Sequence, residues 1–171
     1  MGPAVPGRSP ALPLFVYGSL RRGQPAHRRY CGAVRWVQAA GLWGRLYLLP
    51  TGYPALEIPP RAVLGTATGD PQRDAERARA LEIAPQIRRP PGDWQWICGE
   101  LLLLPDPGRA LPAIDRYEDF DPRRPGPYRR VLTWVSTAAG AAAAWVYCAP
   151  RRPVLGRRLS GGRRALPPPR R

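Results

Sequence analysis

The sequence predicts an α+β domain whose strands form a strongly curved or barrel-like sheet. Its 171 residues match the roughly 100–200 residues of a typical single domain, so a second domain is not expected. Hydrophobic residues make up 44% of the chain, which suffices for a buried core, whereas 24 Pro and 18 Gly disfavour long helices. Segments with strand character outnumber helical ones, which argues against a doubly wound fold in which the two alternate.

The N-terminal part is predicted to be a strand, a glycine turn and a short helix. Residues 1–13 are rich in Pro and small residues, so we expect a disordered lead-in to a domain that spans 14–150. Residues 14–17 are apolar and aromatic and end at a glycine, as expected of a buried strand followed by a turn. A proline suited to the first helical position begins a predicted helix over 25–31.

The middle of the chain carries strand patterns and one helix. Strand or extended character is found over 41–49, 53–56 and 62–68. Asp70 is a good N-cap and Pro71 a good first residue, so a short helix is expected after them. Proline and arginine then indicate a surface loop over 84–93.

The C-terminal half is predicted to contain three strands and a helix. The strands are expected over 94–104, 128–136 and 142–148. The last two should form a hairpin around Gly140. The helix is expected over 111–117, since Pro112 is tolerated in a first turn. Residues 151–171 are an Arg- and Pro-rich tail that we expect to be flexible.

The net charge of +15 does not by itself predict a nucleic-acid partner. All 27 basic residues are Arg, and Lys and Asn are absent, which is typical of GC-rich coding. Residues 151–171 hold eight Arg and no acid, so the segment 11–150 carries 18 Arg against all 12 acids. No apolar run is long enough for a membrane span or a signal peptide. We expect a cytoplasmic monomer that binds neither nucleic acid nor a membrane.

Cysteine and histidine usage predicts neither disulfides nor a metal site. Three Cys without Cys-x-x-Cys spacing and a single histidine, His27, match no zinc or disulfide pattern. Each Cys is best interpreted as a buried thiol. A Cys/His nucleophile pair with His27 stays open, although no motif supports it.

The turn at Tyr17-Gly18-Ser19-Leu20 is the first candidate site. A buried strand passes through Gly18 into a loop, and glycine lets the backbone approach a ligand closely. Successive N–H groups in such a turn form a concavity for a carboxylate or a developing oxyanion. The alternative is a tight turn at a strand end with Ser19 as a capping residue.

Glu118 is the second candidate. If the helix extends to it, Glu118 lies four residues after Ile114 and seven after Leu111, on the apolar face that meets the core. A carboxylate held against apolar groups has a raised pKa and is a competent general base near neutral pH. The alternative is that the helix ends before Glu118 and leaves it at the start of a loop.

Five ordered blocks of the sequence resemble the gamma-glutamylcyclotransferase-like family. Over about 14–147 they are most similar to the gamma-glutamylamine cyclotransferases and their small bacterial relatives. The blocks are Phe-Val-Tyr-Gly-Ser-Leu-Arg-Arg-Gly-Gln-Pro-Ala-His at 15–27, Gly-Tyr-Pro-Ala-Leu at 52–56, Gly-Glu-Leu at 99–101, Ile-Asp-Arg-Tyr-Glu at 114–118 and Tyr-Arg-Arg-Val at 128–131.

The resemblance implies a small mixed β-barrel with flanking short helices. It also implies cyclisation of a gamma-glutamyl amine or amino acid to 5-oxoproline, without cofactor or metal, with Glu118 as the catalytic acid and base. The substrate-binding loop falls on Tyr17, Gly18, Ser19 and Leu20. Tyr128 is a further candidate to hydrogen-bond substrate or Glu118, the alternative being an ordinary aromatic residue at a strand start.

Some positions depart from the family pattern or are expected to be structural. The segment 58–93 is longer than expected and is interpreted as a lid or specificity loop, or as a tolerated surface insertion. Gly162 replaces an acid in a similar family ending. Glu100 is expected to pair with an Arg, and His27 to be structural. The alternative function is a non-catalytic binding protein whose Arg-rich tail contacts nucleic acid or another polyanion.

Overall fold

The computed structural model describes residues 10–81, 85–149 and 156–160. Within them the strands are β1 (Leu12–Val16), β2 (Val37–Leu48), β3 (Pro54–Glu57), β4 (Gly65–Thr66), β5 (Gln95–Leu104), β6 (Arg129–Thr137), β7 (Gly140–Cys148) and β8 (Arg157–Arg158). The helices are α1 (Pro25–Tyr30), α2 (Pro71–Arg79) and α3 (Pro107–Tyr117), with a 3-10 turn at Pro60–Ala62. None of these helices is long and apolar enough to cross a membrane.

Five strands close into a small barrel in the order β2-β5-β1-β7-β6, with β6 pairing back onto β2. The closing pairs are Ala40 with Thr137 and Gly41 with Ser136. Strands β1 and β7 are parallel, whereas the other neighbours in the barrel are antiparallel. The predicted α+β fold, a small mixed β-barrel with short flanking helices, is confirmed.

Two apolar clusters form the core. One contains buried residues from each of the five barrel strands, and the other joins the barrel to the helices through Ala75, Leu111 and Ile114. Neighbouring residues of β1 enter different clusters, with Phe15 in the first and Leu14 in the second. Strand β1 is therefore buried on both faces, which explains its uninterrupted apolar sequence.

The N-terminal boundary differs from the prediction. Strand β1 begins at Leu12, which is fully buried and pairs with Leu104 of β5. The last two residues of the predicted lead-in, Leu12 and Pro13, thus belong to the barrel because their pairing with β5 outweighs the poor strand propensity of proline. Residues 1–9 of that lead-in lie outside the described residues.

The segment 58–93 contributes to the core through α2. Asp70 caps this helix as predicted, accepting hydrogen bonds from the N–H groups of Gln72 and Arg73. Its Asp74 and Ala75 are fully buried. The strand expected over 62–68 is reduced to the two residues of β4, paired with β6. This part of the segment is therefore a packed element rather than a surface insertion.

Helix α3 begins four residues before its predicted start. Asp106 accepts a hydrogen bond from the Arg109 N–H, and Pro107 occupies the first turn. Pro112 lies inside the helix instead of at its start. Pro112 is exposed, so its ring faces solvent. The helix tolerates the missing N–H of Pro112 because the opposite face of α3 packs Leu111 against the core.

Part of the predicted flexible tail is ordered. Strand β8 pairs with β2, and the Leu159 N–H donates to the Leu46 carbonyl oxygen at 2.8 Å. Arg158 binds a carboxylate oxygen of Asp93 at 3.0 Å and its carbonyl oxygen at 2.7 Å. The expectation of a flexible tail is therefore wrong for 156–160, and the rest of 151–171 lies outside the described residues.

We expect Gly99→Ala to destabilise the barrel. A Cβ at Gly99 would lie 2.4 Å from the Val16 carbonyl oxygen and 2.7 Å from the Phe15 ring, both on the paired strand β1. Overpacking of this kind costs roughly 1–3 kcal/mol and should appear as a lower midpoint of chemical unfolding. Gly108→Ala is the control, because its Cβ would meet nothing closer than 3.7 Å. Equal midpoints for both variants would contradict the prediction.

Candidate active site

A cavity of about 380 Å³ opens at one end of the barrel. Its walls are residues 15–20 from the end of β1, the β2–β3 turn, the C-terminal end of α3 and the residues before β6. The lining is dominated by aromatic side chains, with Glu118 and Asp119 as its acids. The two motifs that the sequence singled out, around Gly18 and around Glu118, thus line one cavity.

The end of α3 positions Glu118 through a Schellman motif. The Phe120 N–H donates to the Asp115 carbonyl oxygen at 2.8 Å, and the Asp119 N–H donates to that of Arg116 at 3.2 Å. Asp119 adopts a left-handed conformation with φ of 51°, which a short polar side chain tolerates. Glu118 is the C-cap, so the helix ends before it, as the alternative interpretation held, yet its side chain still lines the cavity.

The Glu118 carboxyl group titrates near neutrality. Burial raises its pKa from 4.5 to about 7, and the nearby Asp115 carboxylate adds to the rise. No hydrogen-bond donor within 10–81, 85–149 or 156–160 reaches this carboxyl group. A partly buried acid without a partner, with a pKa close to the surrounding pH, can both accept and return a proton.

Loop 17–20 lines the cavity together with Glu118. The Ser19 hydroxyl lies 2.7 Å from the Tyr117 hydroxyl, which ties the loop to the end of α3. In the described part of the chain, the backbone N–H groups of Ser19 and Leu20 donate to no acceptor.

Two polar side chains hold this loop from outside the cavity. His27 Nδ1 hydrogen-bonds the Leu20 carbonyl oxygen at 2.8 Å, in agreement with a structural role. Glu100 accepts a 2.7 Å hydrogen bond from the backbone N–H of Arg22, not from an arginine side chain as expected. Both interactions fix the backbone path that presents Gly18 to the cavity.

The hydroxyl groups of Tyr17 and Tyr128 both donate to backbone carbonyl oxygens. Tyr17 donates to the Tyr147 carbonyl oxygen at 2.9 Å, so its ring lines the cavity while its hydroxyl is engaged. Tyr128 donates to the Pro54 carbonyl oxygen at 3.1 Å instead of to Glu118. Burial and the nearby Glu118 raise the Tyr128 pKa to about 12, so this phenol is neutral at physiological pH.

Sequence reasoning missed several cavity residues. Tyr117, Tyr147 and Tyr53 line the cavity, and Asp115 lies behind Glu118. Tyr117 directly precedes the candidate acid, which is the signal that could have indicated it. The others come from distant elements whose convergence only the fold reveals.

A thiol nucleophile is not favoured in this cavity. Burial raises the pKa values of Cys31 and Cys148 to about 11, which keeps both thiols protonated. Cys98 is exposed and does not line the cavity. Among the described residues, no group of three or more His, Cys, Asp and Glu is arranged to hold a metal ion.

The fold and cavity define a small-barrel protein in which one cavity is lined by Glu118, an acid without a hydrogen-bond donor among the described residues, and by the loop 17–20. The model of the family described as gamma-glutamyl cyclotransferase, AIG2-like, matches residues 14–89 and 72–163. The chain belongs to this family. The branch predicted from the sequence, the gamma-glutamylamine cyclotransferases and their small bacterial relatives, stays a prediction.

The crystal structure of YkqA from Bacillus subtilis supports the fold. YkqA from Bacillus subtilis has a TM-score of 0.52 and 18% identity, with 89% of this chain and 39% of YkqA covered. The chain therefore spans about two fifths of that protein, and the likeness shows the fold alone. An AIG2-like protein from Mus musculus has a TM-score of 0.48, 16% identity and coverages of 85% and 81%. An uncharacterised protein from Pyrococcus horikoshii has a TM-score of 0.49, 17% identity and coverages of 88% and 87%. Comparison with curated protein sequences gave no match.

Proposed function

We propose that this protein converts a gamma-glutamyl amine or gamma-glutamyl amino acid into 5-oxoproline and releases the amine or amino acid. The observation that carries the proposal is the Glu118 carboxyl group, which lines the cavity without a hydrogen-bond partner among the described residues and has a pKa of about 7. Membership of the family supports a cyclotransferase in general.

The substrate supplies its own nucleophile. The α-amine attacks the γ-carbonyl carbon, a C–N bond forms, and Glu118 accepts the proton that the amine loses. Collapse of the tetrahedral intermediate breaks the original amide C–N bond, and Glu118 returns the proton to the leaving nitrogen. Holding the substrate folded converts this attack into an oriented intramolecular reaction, which lowers the barrier by several kcal/mol.

Loop 17–20 supplies the polar contacts. The N–H groups of Ser19 and Leu20 bind the substrate's polar groups and stabilise negative charge on the γ-carbonyl oxygen. Their positions are set before substrate binds, because His27 and Tyr117 hold the loop. The aromatic walls limit water in the cavity, which favours attack by the amine over hydrolysis.

A panel assay tests the proposal. The purified full-length protein is incubated with gamma-glutamyl amino acids, gamma-glutamyl amines and a gamma-glutamyl isopeptide, and 5-oxoproline is detected by mass spectrometry. Formation of 5-oxoproline together with an equal amount of released amine supports the proposal. If no substrate of the panel gives 5-oxoproline, the proposal is contradicted and the alternative of a binding protein is favoured. That alternative would be supported by salt-sensitive binding of RNA or DNA that is lost when 161–171 are removed.

The activity should fall as the pH drops below about 7. Glu118 must be deprotonated to accept a proton, and burial raises its pKa to about 7, so the protonated inactive form dominates at lower pH. We expect the acid limb of the kcat/KM profile to have its midpoint near pH 7 rather than near pH 4.5. A profile that stays flat down to pH 5 would contradict the role of Glu118 as a base.

Gly18→Ala should reduce activity without loss of stability. A Cβ at Gly18 would lie 3.6 Å from the Pro54 side chain, an ordinary contact, but both residues line the cavity, so the methyl group takes space from the substrate. We expect a several-fold higher KM and an unchanged melting temperature. Gly108→Ala, remote from the cavity, is the control. Wild-type kinetics for Gly18→Ala would show that substrate does not approach this loop.

A further inference from the structure

Behind the cavity, Arg130 of β6 is buried between two carboxylates. Its Nη1 lies 2.9 Å from Asp74 Oδ2, and neither side chain is exposed. Its Nε lies 3.0 Å from Asp115 Oδ1, and its Nη2 lies 3.3 Å from Asp115 Oδ2. The guanidinium group thus bridges α2 and α3 from the barrel wall.

The carboxylate and the carbonyl oxygen of Asp74 accept further hydrogen bonds that fix its position. Its carboxylate accepts hydrogen bonds from the Thr68 N–H at 3.0 Å and the Thr68 hydroxyl at 2.8 Å. Its carbonyl oxygen accepts one from Trp145 Nε1 at 2.9 Å. Because these contacts come from the loop before α2 and from β7, Asp74 has a single position from which it can bind Arg130.

Asp115 connects this pair to the active-site acid. It lies one helical turn before Glu118, and its carbonyl oxygen accepts the Phe120 N–H that closes the Schellman motif. Its carboxylate also accepts a hydrogen bond from the Tyr147 hydroxyl. Side chain and backbone of Asp115 are therefore both anchored at the turn that aims Glu118 into the cavity.

The net charge of Asp74, Asp115 and Arg130 acts on Glu118. One guanidinium faces two carboxylates, which leaves one net negative charge shielded from water, where its field is stronger than in solvent. Asp119 and Tyr53 line the same cavity as Glu118. The groups whose pKa values the Glu118 charge helps to raise come from β1 and its loop, α1, α3, β6 and β7. They are Tyr17, Cys31, Tyr117, Tyr128 and Tyr147, and their raised pKa values keep them neutral at pH 7.

We propose that Asp74 and Arg130 are positioning residues for the reaction: they fix the Asp115 carboxylate beside Glu118 and thereby set the pH at which Glu118 changes from acid to base. This inference rests on the proposed function. It gives α2, within the segment 58–93, a role at the active site from behind the barrel wall instead of the role of a lid over the cavity.

The pH profile of kcat/KM tests this inference. Asp115→Asn removes the like charge beside Glu118, so the acid limb should move to lower pH by about 1 pH unit. Asp74→Asn leaves more of the Arg130 charge to offset Asp115, so the limb should move in the same direction by a smaller amount. Arg130→Lys keeps the charge, so its limb should stay near that of the wild type. Glu76→Gln on the exposed face of α2 is the matched control and should not move it.

A merely structural role predicts a different result. In that case the variants would lower kcat or the melting temperature while the acid limb stayed in place, and this outcome overturns the inference. If Asp115→Asn does not fold, the comparison of Asp74→Asn with Glu76→Gln decides, since both neutralise one acid of the same helix.

A substrate-free measurement separates this inference from the proposed function. The chain contains five Glu, so selective 13C labelling of glutamate carboxyl carbons gives few signals, and Glu118→Gln identifies the one from Glu118. We expect its titration midpoint to fall in Asp115→Asn and Asp74→Asn but not in Glu76→Gln. A shifted midpoint with no activity on any substrate would reject the function alone, whereas an unshifted midpoint in an active enzyme would reject only the role of Asp74 and Arg130.

Discussion

Glu118→Gln should abolish 5-oxoproline formation and leave the fold intact. The amide nearly matches the carboxyl group in shape but cannot accept and return a proton, and loss of acid–base catalysis lowers rates by about 10²–10⁴-fold. The measurement is kcat/KM on the best substrate of the panel, with circular dichroism to compare the fold. Glu76→Gln makes the same chemical change on an exposed helix face and should leave kcat/KM unchanged.

The melting temperature of Glu118→Gln provides an independent test of whether the pKa of Glu118 is raised in the folded protein. The pKa of Glu118 is raised in the folded protein, so this carboxyl group ionises in the unfolded chain first as the pH rises. Its ionisation therefore lowers the free energy of unfolding as the pH rises from about 4.5 to 7, and this free energy stays lowered at higher pH. Glutamine removes that effect, so the variant should melt at the wild-type temperature or higher at pH 7. Retained activity would overturn the mechanism, and a large fall in melting temperature at pH 7 would contradict the burial of an ionisable, unpaired group.

Arg130→Met should destabilise the protein by about 3–5 kcal/mol, because it leaves the Asp74 and Asp115 carboxylates without their cation. The measurement is chemical unfolding at pH 7. Adding Asp74→Asn to Arg130→Met should restore part of the loss, since the double variant buries one uncompensated charge fewer.

Arg123→Met is the control for this prediction. Arg123 pairs with Asp121 at 3.1 Å, but its side chain is 86% exposed, so its removal should cause no measurable change in stability. Similar unfolding midpoints for Arg130→Met and Arg123→Met would show that the buried bridge does not stabilise the fold.

Most strands could be predicted because their signals are local. The run before Gly18 is apolar and aromatic, and β5 ends in four Leu residues before Pro105. Patterns of this kind depend only on neighbouring residues. Boundaries were less accurate where a partner strand decides them. Leu12 and Pro13 join β1 because β5 extends to Leu104 opposite them, which no local pattern reveals.

The two parts of the candidate active site are predictable to different degrees. The sequence indicates the turn at Gly18 but not the contact between Ser19 and Tyr117, since these residues are separated by 98 residues in the chain. For Glu118 the sequence leaves two interpretations open, an apolar helical face or the start of a loop after the helix. In the structure it is the C-cap, and its place in the cavity depends on the turn that Asp119 makes after it.

Asp74 shows most plainly where sequence reasoning ends. In the sequence it is one acid in the first turn of a helix, where favourable interaction with the helix dipole suffices to explain it. In the structure it is fully buried and binds Arg130, 56 residues further along the chain. A pattern of charges does not reveal which partner will neutralise a buried acid.

The sequence by itself determined most local elements, the family and the two candidate site motifs, because hydrophobic periodicity, turn residues and motif order are properties of neighbouring residues. The tertiary structure decided that the barrel closes, that Gly18 and Glu118 share one cavity and that Arg130 joins Asp74 to Asp115. The physical reason is that burial and electrostatic interaction depend on distance in space. A carboxyl group acquires a pKa of about 7 only when distant segments exclude water from it and place another charge beside it.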